Sequence, residues 1–143
     1  MITYTDVVRE RVEAPLEAVW KILADFGGIG RYVKGADVSH LEGPQQGVGC
    51  VRVIPRGDQA TRERMETYDA AGHAYSYAVL EGSPVAMEGY VGEVKVVPLD
   101  GNACMVEWGG RFETASAPDP GAQKKGLEKF YRNAIDGVRT LVA

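Results

Sequence analysis

The sequence predicts an α+β fold in which helices cover one face of an antiparallel sheet. Glycine and proline, 18 and 7 of the 143 residues, punctuate the chain about every ten positions, which is the spacing of short antiparallel strands. The C-terminal segment instead shows a long run of apolar residues at helical spacing. A chain of this length most often forms one domain, so we expect residues 1–143 to fold as a single unit.

The first part of the chain predicts a strand followed by helix. Ile2–Val12 alternates loosely between apolar and polar residues, as a strand does. Pro15 suits the first position of a helix, where its missing N–H is not needed. Gly27 and Gly28 can end that helix, and Phe26–Tyr32 can form a second short helix or a turn. The apolar positions of the first helix are Leu16, Val19, Trp20 and Leu23.

Six further strands are expected between the helices and the C-terminal segment. Turn signals such as Asp100-Gly101 separate them. Two connections, Pro55–Ala60 and Glu81–Gly89, look longer than the others, and each is expected at an end of the sheet. The expected strands are Asp37–Glu42, Gly49–Ile54, Thr61–Tyr68, His73–Leu80, Tyr90–Pro98 and Cys104–Thr114.

The last segment, Pro118–Ala143, predicts a long amphipathic helix. Apolar residues recur at intervals of three and four, while charged residues such as Lys129 and Arg132 take the opposite face. We expect this helix to lay its apolar stripe on the sheet. The stripe consists of Leu127, Phe130, Tyr131, Ala134, Ile135, Val138, Leu141 and Val142.

Composition narrows the possible partners. Sixteen Lys and Arg against 20 Asp and Glu give a net charge of −4 and a pI near 5.2, which disfavours nucleic acid. No apolar run approaches the length of a membrane span, and the first residues lack the apolar centre of a signal peptide, so a cytoplasmic location is expected. Cys50 and Cys104 form no metal-binding motif, and no cofactor or metal is expected.

Several motifs follow one another over nearly the whole chain. They are Ala14-Pro15 with Trp20 five residues after the proline, Tyr75 and Tyr77 followed by Glu81-Gly82-Ser83-Pro84, Tyr90 opening a strand, Val106-Glu107-Trp108, and the terminal helix. Together they resemble the polyketide cyclase/dehydrase branch of the START-like (Bet v 1-like, SRPBCC) superfamily. The resemblance implies a helix-grip fold, with a seven-stranded antiparallel sheet curled around the C-terminal helix and two short helices between the first and second strands. It also implies a cavity for small hydrophobic molecules between sheet and helix.

Strand periodicity selects the residues that face such a cavity, because residues two apart share a face of a strand. The more apolar faces contain Glu63, then Tyr75, Tyr77 and Val79, and then Tyr90 and Gly92. Gly92 is expected to leave space beneath the helix. The expected ligand-binding residues are Glu63, Tyr75, Tyr77, Val79, Tyr90, Gly92, Glu107, Leu127, Phe130 and Ala134.

The inward residue of the last strand is ambiguous. Hydrophobicity places Trp108 inside and its neighbour Glu107 outside. A resemblance to the plant abscisic acid receptors of the same superfamily places Glu107 inside, because their matching position is an acid that reaches the ligand through water. We adopt the inward orientation of Glu107 as the expectation.

Three functions are compatible with these residues. The first is a carrier or sequestering protein for a small hydrophobic molecule. The second is a cyclase or dehydratase acting on a ketone or enol, with Glu63, Glu107, Tyr77 and Tyr90 as candidate catalytic residues, since buried carboxyls and tyrosines can exchange or donate protons. The third is a ligand-gated interaction module, because Pro55–Ala60 and Ser83–Gly89 resemble the paired lid loops of the abscisic acid receptors.

Overall fold

A computed structural model describes residues 2–82, 88–114 and 120–143. The seven strands are β1 (Ile2–Val12), β2 (His40–Leu41), β3 (Val51–Arg56), β4 (Gln59–Asp69), β5 (Ala74–Glu81), β6 (Glu88–Asp100) and β7 (Ala103–Thr114). The helices are α1 (Leu16–Leu23), a 3₁₀ helix (Phe26–Arg31) and α2 (Pro120–Val142). The predicted α+β helix-grip fold is confirmed, including the two short helices between the first two strands. The predicted strand Asp37–Glu42 shortens to the two residues of β2.

All seven strands form one antiparallel sheet in the order β1-β7-β6-β5-β4-β3-β2. The first strand therefore pairs with the last, while the other strands follow one another as hairpins. This order brings β1 beside the strand that leads into α2. In the described ranges, no helix is long and apolar enough to cross a membrane.

The core lies between the inner face of the sheet and the helices. Val8, Val94 and Trp108 from the sheet are each no more than 2% exposed, and α1 adds Trp20 at 7%. From α2, the predicted stripe supplies Tyr131, Ile135 and Val138, all at 0%. Burial of this stripe against the sheet is the main stabilisation of α2, because a helix gains more from packing than from propensity.

Ion pairs fix the position of α2 along the edge strand. Glu10 of β1 accepts hydrogen bonds from Arg132 at 2.5 Å and from Arg139 at 2.9 Å. Arg139 also donates to the backbone carbonyl of Arg11 at 2.7 Å. Because these partners lie on two turns of the helix, they set its register relative to β1.

A glycine allows α2 to touch the segment that follows the 3₁₀ helix. A Cβ atom added to Gly137 would lie 2.0 Å from the carbonyl oxygen of Tyr32, a distance that no side chain can occupy. Gly126, about three turns earlier in the same helix, would place a Cβ in open space. The close contact with Tyr32 therefore requires glycine at position 137, whereas a side chain could be accommodated at position 126.

The connection Pro55–Ala60 differs from the expected long loop. Pro55 pairs with Ala60 and Arg56 pairs with Gln59, so the strands continue to a two-residue turn. Gly57 enters that turn with φ of +64°, which favours glycine. The expectation of a long loop here is wrong, because the backbone pairing of the two strands continues through residues that lack the alternating apolar pattern of a strand. Of the second expected lid, Ser83–Gly89, residues 83–87 lie outside the described residues.

The two glycines of α2 give a stability prediction. Gly137→Ala should lower the free energy of unfolding by about 1–3 kcal/mol, because the methyl group forces α2 away from Tyr32. Gly126→Ala is the matched control and should raise it by up to about 1 kcal/mol through helix propensity. Urea unfolding followed by circular dichroism measures both. Equal effects of the two substitutions would contradict the close contact.

Candidate functional site

A cavity of about 620 Å³ opens between the sheet, α2 and the segment after the 3₁₀ helix. Binding sites for small molecules usually have about 300–1,000 Å³, so this cavity has the size of a ligand site. The sheet contributes one wall and α2 the other, and residues 29–36 close one side. The lining residues are Ile29, Val33, Lys34, Gly35, Ala36, Ile54, Arg56, Gly57, Thr61, Glu63, Tyr77, Val79, Tyr90, Gly126, Leu127 and Phe130.

The chemistry of the lining changes from the interior to the mouth. Apolar side chains such as Ile54, Val79 and Leu127 form most of the walls. The buried polar contributions are Glu63, Thr61 and the hydroxyl-bearing rings of Tyr77 and Tyr90. The cations among the lining residues, Lys34 and Arg56, are exposed at the mouth. The cavity therefore suits a mostly apolar molecule with a small number of polar groups.

Glu63 forms an ion pair with a buried arginine that the sequence reading did not identify. Arg52 Nε donates to Glu63 Oε1 at 2.6 Å, and the side chains are 1% and 11% exposed. The two residues are directly opposite each other on β3 and β4. Alternation does not reveal Arg52, because it shares its strand face with Ile54 whereas Val51 and Val53 make the other face more apolar. The signal is its position opposite Glu63, which is predicted to face inward.

Arg52 is enclosed by aromatic rings as well as by its carboxylate. Its guanidinium carbon lies 4.0 Å from the centre of the Phe26 ring and 4.9 Å from that of Tyr77. Nη1 also donates to the carbonyl of Phe26 at 3.3 Å. Burial disfavours the charged form, but Glu63 and the surrounding tyrosines outweigh it and hold the pKa of Arg52 above its ordinary value. Arg52 is thus a permanent buried cation.

A line of polar aromatic groups runs from the cavity wall towards α2. Trp108 Nε1 donates to the Tyr77 hydroxyl at 3.1 Å, and the hydroxyls of Tyr77 and Tyr90 are 3.5 Å apart. The Tyr90 hydroxyl is 2.5 Å from that of Tyr131, which the sequence predicts in the apolar stripe but not among the site residues. Burial is the main cause that raises the pKa of all three tyrosines. They therefore stay neutral at physiological pH and can donate hydrogen bonds.

Two glycines make room for these rings. A Cβ atom on Gly92 would lie 2.2 Å from the Tyr77 ring, and one on Gly110 would lie 2.5 Å from the Tyr131 hydroxyl. The space that the sequence predicted at Gly92 therefore exists, but the phenol of Tyr77 fills it. Gly92 supports the floor of the cavity and does not line it.

Some of the ten predicted ligand-binding residues line the cavity and others do not. Six of the ten line the cavity: Glu63, Tyr77, Val79, Tyr90, Leu127 and Phe130. Tyr75 instead packs under the 3₁₀ helix, edge-on to Phe26 at 5.9 Å between ring centres. Ala134 lines a neighbouring groove of about 640 Å³ between α2 and residues 30–37, which shares Val33, Lys34 and Phe130 with the cavity.

The expected inward orientation of Glu107 is wrong. Its carboxylate lies on the outer face of the sheet and accepts a hydrogen bond from Arg9 Nε at 2.7 Å. The neighbouring Trp108 faces inward, is 0% exposed and stacks on Tyr131 with 5.9 Å between ring centres. Hydrophobicity decides the orientation, because burying a large indole is favourable whereas a buried Glu107 would lose Arg9 as its counterion.

Among the residues that the structure describes, the remaining buried polar groups do not form a metal site. In the part of the chain that the structure describes, no three His, Cys, Asp or Glu side chains are grouped so that they could hold an ion. Within the same residues, Tyr32 and Tyr75 also bury their hydroxyls, beside each other and beside Arg52. Burial is the main cause that raises the pKa of both groups.

Residues 4–143 match the family described as polyketide cyclase / dehydrase and lipid transport. The fold is similar to that of an uncharacterized protein from Bacillus thuringiensis, with a TM-score of 0.84, 17% identity and coverage of 97% of this chain and 98% of that one. A protein from Nitrosospira multiformis has a TM-score of 0.83 and 19% identity, with coverage of 98% of this chain and 97% of that one. A protein from Thermobifida fusca has a TM-score of 0.77 and 23% identity, with coverage of 97% of this chain and 91% of that one. The sequence has no match among curated proteins. At these identities, the solved structures show a shared fold.

The two glutamates give a prediction that tests their positions. Glu63→Gln removes the counterion of a buried guanidinium, so we expect the free energy of unfolding to fall by about 3–5 kcal/mol. Glu107→Gln breaks a partly exposed pair and should cost less than about 1 kcal/mol. Chemical denaturation at neutral pH measures both. A larger loss of unfolding free energy for Glu107→Gln than for Glu63→Gln would contradict the outward orientation of Glu107 and the inward orientation of Glu63.

Proposed function

Because the chain belongs to the polyketide cyclase/dehydrase and lipid transport family, we propose that it binds a small hydrophobic molecule as a carrier or sequestering protein. The family description supports ligand binding within this fold. The observation that carries the proposal is the cavity of about 620 Å³ between the sheet and α2.

A space of this size is not a packing defect. Protein interiors are close-packed, and voids larger than a water molecule are few. Elsewhere in this fold the packing is tight: Trp108, Tyr131 and Phe26 are each 0% exposed and in contact with neighbouring rings. The cavity is also bounded by apolar side chains that would otherwise gain free energy by closing on one another. These features support a space kept open for a ligand.

The enzymatic alternative has less support. A mechanism with two carboxylates requires both to approach one point, but Glu63 is on the inner face of the sheet and Glu107 on the outer face. The residues left for a cyclase or dehydratase are Glu63, Tyr77 and Tyr90. Glu63 is already engaged as the counterion of the buried Arg52 guanidinium, so acting as a proton donor would require it to give up that ion pair. The carrier function needs no such residue.

The interaction module has less support as well. It requires a mobile lid that presents a surface after closing, but the first candidate lid is a tight hairpin. Arg56 anchors that hairpin by donating to Thr61 Oγ1 at 3.2 Å and to the carbonyl of Gly82. The turn is therefore tied to the end of β5, which suits a fixed wall better than a gate.

Filling the cavity tests the proposal. Val79 lines it, while the adjacent Leu80 is 39% exposed on the other face of β5. Val79→Trp should weaken binding of the neutral dye N-phenyl-1-naphthylamine at least about tenfold, because the indole occupies the space. Leu80→Trp is the matched control and should leave the affinity unchanged. Fluorescence titration measures both.

The fold of each variant is checked by circular dichroism and by its unfolding midpoint. Failure of the unmodified protein to bind the dye would contradict the proposal. Equal affinity of a folded Val79→Trp variant would contradict it as well, because the dye would then bind outside this cavity.

A further inference from the structure

The Arg52–Glu63 pair determines the ionisation state of the cavity's buried carboxylate. An arginine does not lose its proton in proteins, so the Arg52 guanidinium stays charged at 1% exposure. Besides Glu63, the groups beside it are neutral: the carbonyl of Phe26, which accepts from Nη1, and the hydroxyl of Tyr75. A protonated Glu63 would therefore leave a buried cation without a counterion, which is strongly unfavourable. Glu63 is a carboxylate, with acceptors and no proton to donate.

The Glu63 carboxylate can accept further hydrogen bonds from the cavity. An ionised carboxyl group offers about four lone-pair sites on its two oxygens. Within the described residues, the hydrogen bond recorded for Glu63 is the one from Arg52 Nε to Oε1. Since Glu63 also lines the cavity, its remaining lone pairs can be used by a ligand. A ligand group beside it must be a donor.

The net charge of the pair then selects among donors. Arg52 and Glu63 together are neutral, so a second ion of either sign at this depth would lack a partner. The cations at the mouth do not change this balance at the inner end, because Lys34 and Arg56 are both exposed and solvent screens their charges. A neutral donor therefore fits the site better than an ammonium or a carboxylate.

The neighbouring phenol favours a group that also accepts. Trp108 N–H can only donate, so the Tyr77 oxygen accepts that hydrogen bond and its own proton is free for another partner. The Tyr90 hydroxyl is 3.5 Å away, a distance that makes it a weak competitor for this proton. A hydroxyl group is a neutral group that can both donate to a carboxylate and accept from a phenol.

We propose that the cavity selects a hydrophobic ligand whose buried end carries a neutral hydroxyl group, which donates a hydrogen bond to Glu63. This inference rests on the proposed function and specifies the ligand class for the same cavity. It excludes fatty acids and other carboxylates that would place their charge at the inner end.

Three naphthalenes of similar shape test the hydroxyl in the unmodified protein. 2-Naphthol carries the donor, 2-methoxynaphthalene lacks it, and 2-naphthoate carries a negative charge. Isothermal titration calorimetry at pH 7 should give 2-naphthol an affinity about tenfold to a hundredfold higher than that of either analogue, the range of one hydrogen bond to a charged group. Equal affinity for 2-naphthol and its methyl ether, or tightest binding of 2-naphthoate, would overturn the inference while leaving the cavity a binding site.

A double variant assigns the preference to the ion pair. Arg52→Met with Glu63→Leu replaces both charges with apolar side chains of similar size, a change that folds tolerate better than the loss of one partner. This variant should bind 2-naphthol and 2-methoxynaphthalene with equal affinity, because the acceptor that distinguishes them is gone. A preference that persists in the folded double variant would overturn the role of Glu63. Absence of binding by all three compounds to the unmodified protein would overturn the proposed function together with this inference.

Discussion

A guanidinium that cannot lose its charge sits in the interior of this protein, and much of the surrounding structure accommodates it. Arg52 needs a carboxylate, and Glu63 on the adjacent strand supplies one at 2.6 Å. It needs further acceptors and polarisable surfaces, which the carbonyl and the ring of Phe26 provide. Because Phe26 begins the 3₁₀ helix, the cation also connects the sheet to the segment that closes one side of the cavity. One charged side chain thus links β3, β4 and the 3₁₀ helix around the ligand site.

Periodic features were predictable from the sequence, whereas pairwise ones were not. The stripe of α2 and the inner faces of β4, β5 and β6 follow directly from intervals of three, four and two. The burial of Arg52 is not predictable from alternation, because an alternating pattern assigns charged residues to the outer face. Only its position opposite Glu63 shows that both side chains point inward. Glu107 was placed inward by a family resemblance, although the simpler criterion of burying Trp108 was correct. Tyr131 was recognised as part of the stripe, but its hydroxyl contact with Tyr90 depends on the packing of α2 on the sheet.

The cavity combines close packing on one side with open space on the other. Towards α2 and β7, the rings of Trp108, Tyr131 and Tyr90 fill the interior and hold one another by stacking and hydroxyl contacts. Towards β3 and the mouth, the walls are aliphatic side chains that do not meet. The rigid side fixes the polar groups that would orient a ligand, and the open side provides volume. Pre-organisation of this kind reduces the ordering cost of binding.

The contact between Gly92 and Tyr77 also constrains how this sequence can change. A side chain at position 92 requires the space of the Tyr77 ring, so a substitution at either position changes what the other tolerates. Gly110 has the same relation to Tyr90 and Tyr131. Homologous chains should therefore exchange these residues in concert, with a larger residue at a glycine position accompanied by a smaller one in place of a tyrosine. For protein engineering, shortening Tyr77 would open volume beneath the present floor, which makes this pair of positions a direct route to a larger binding site.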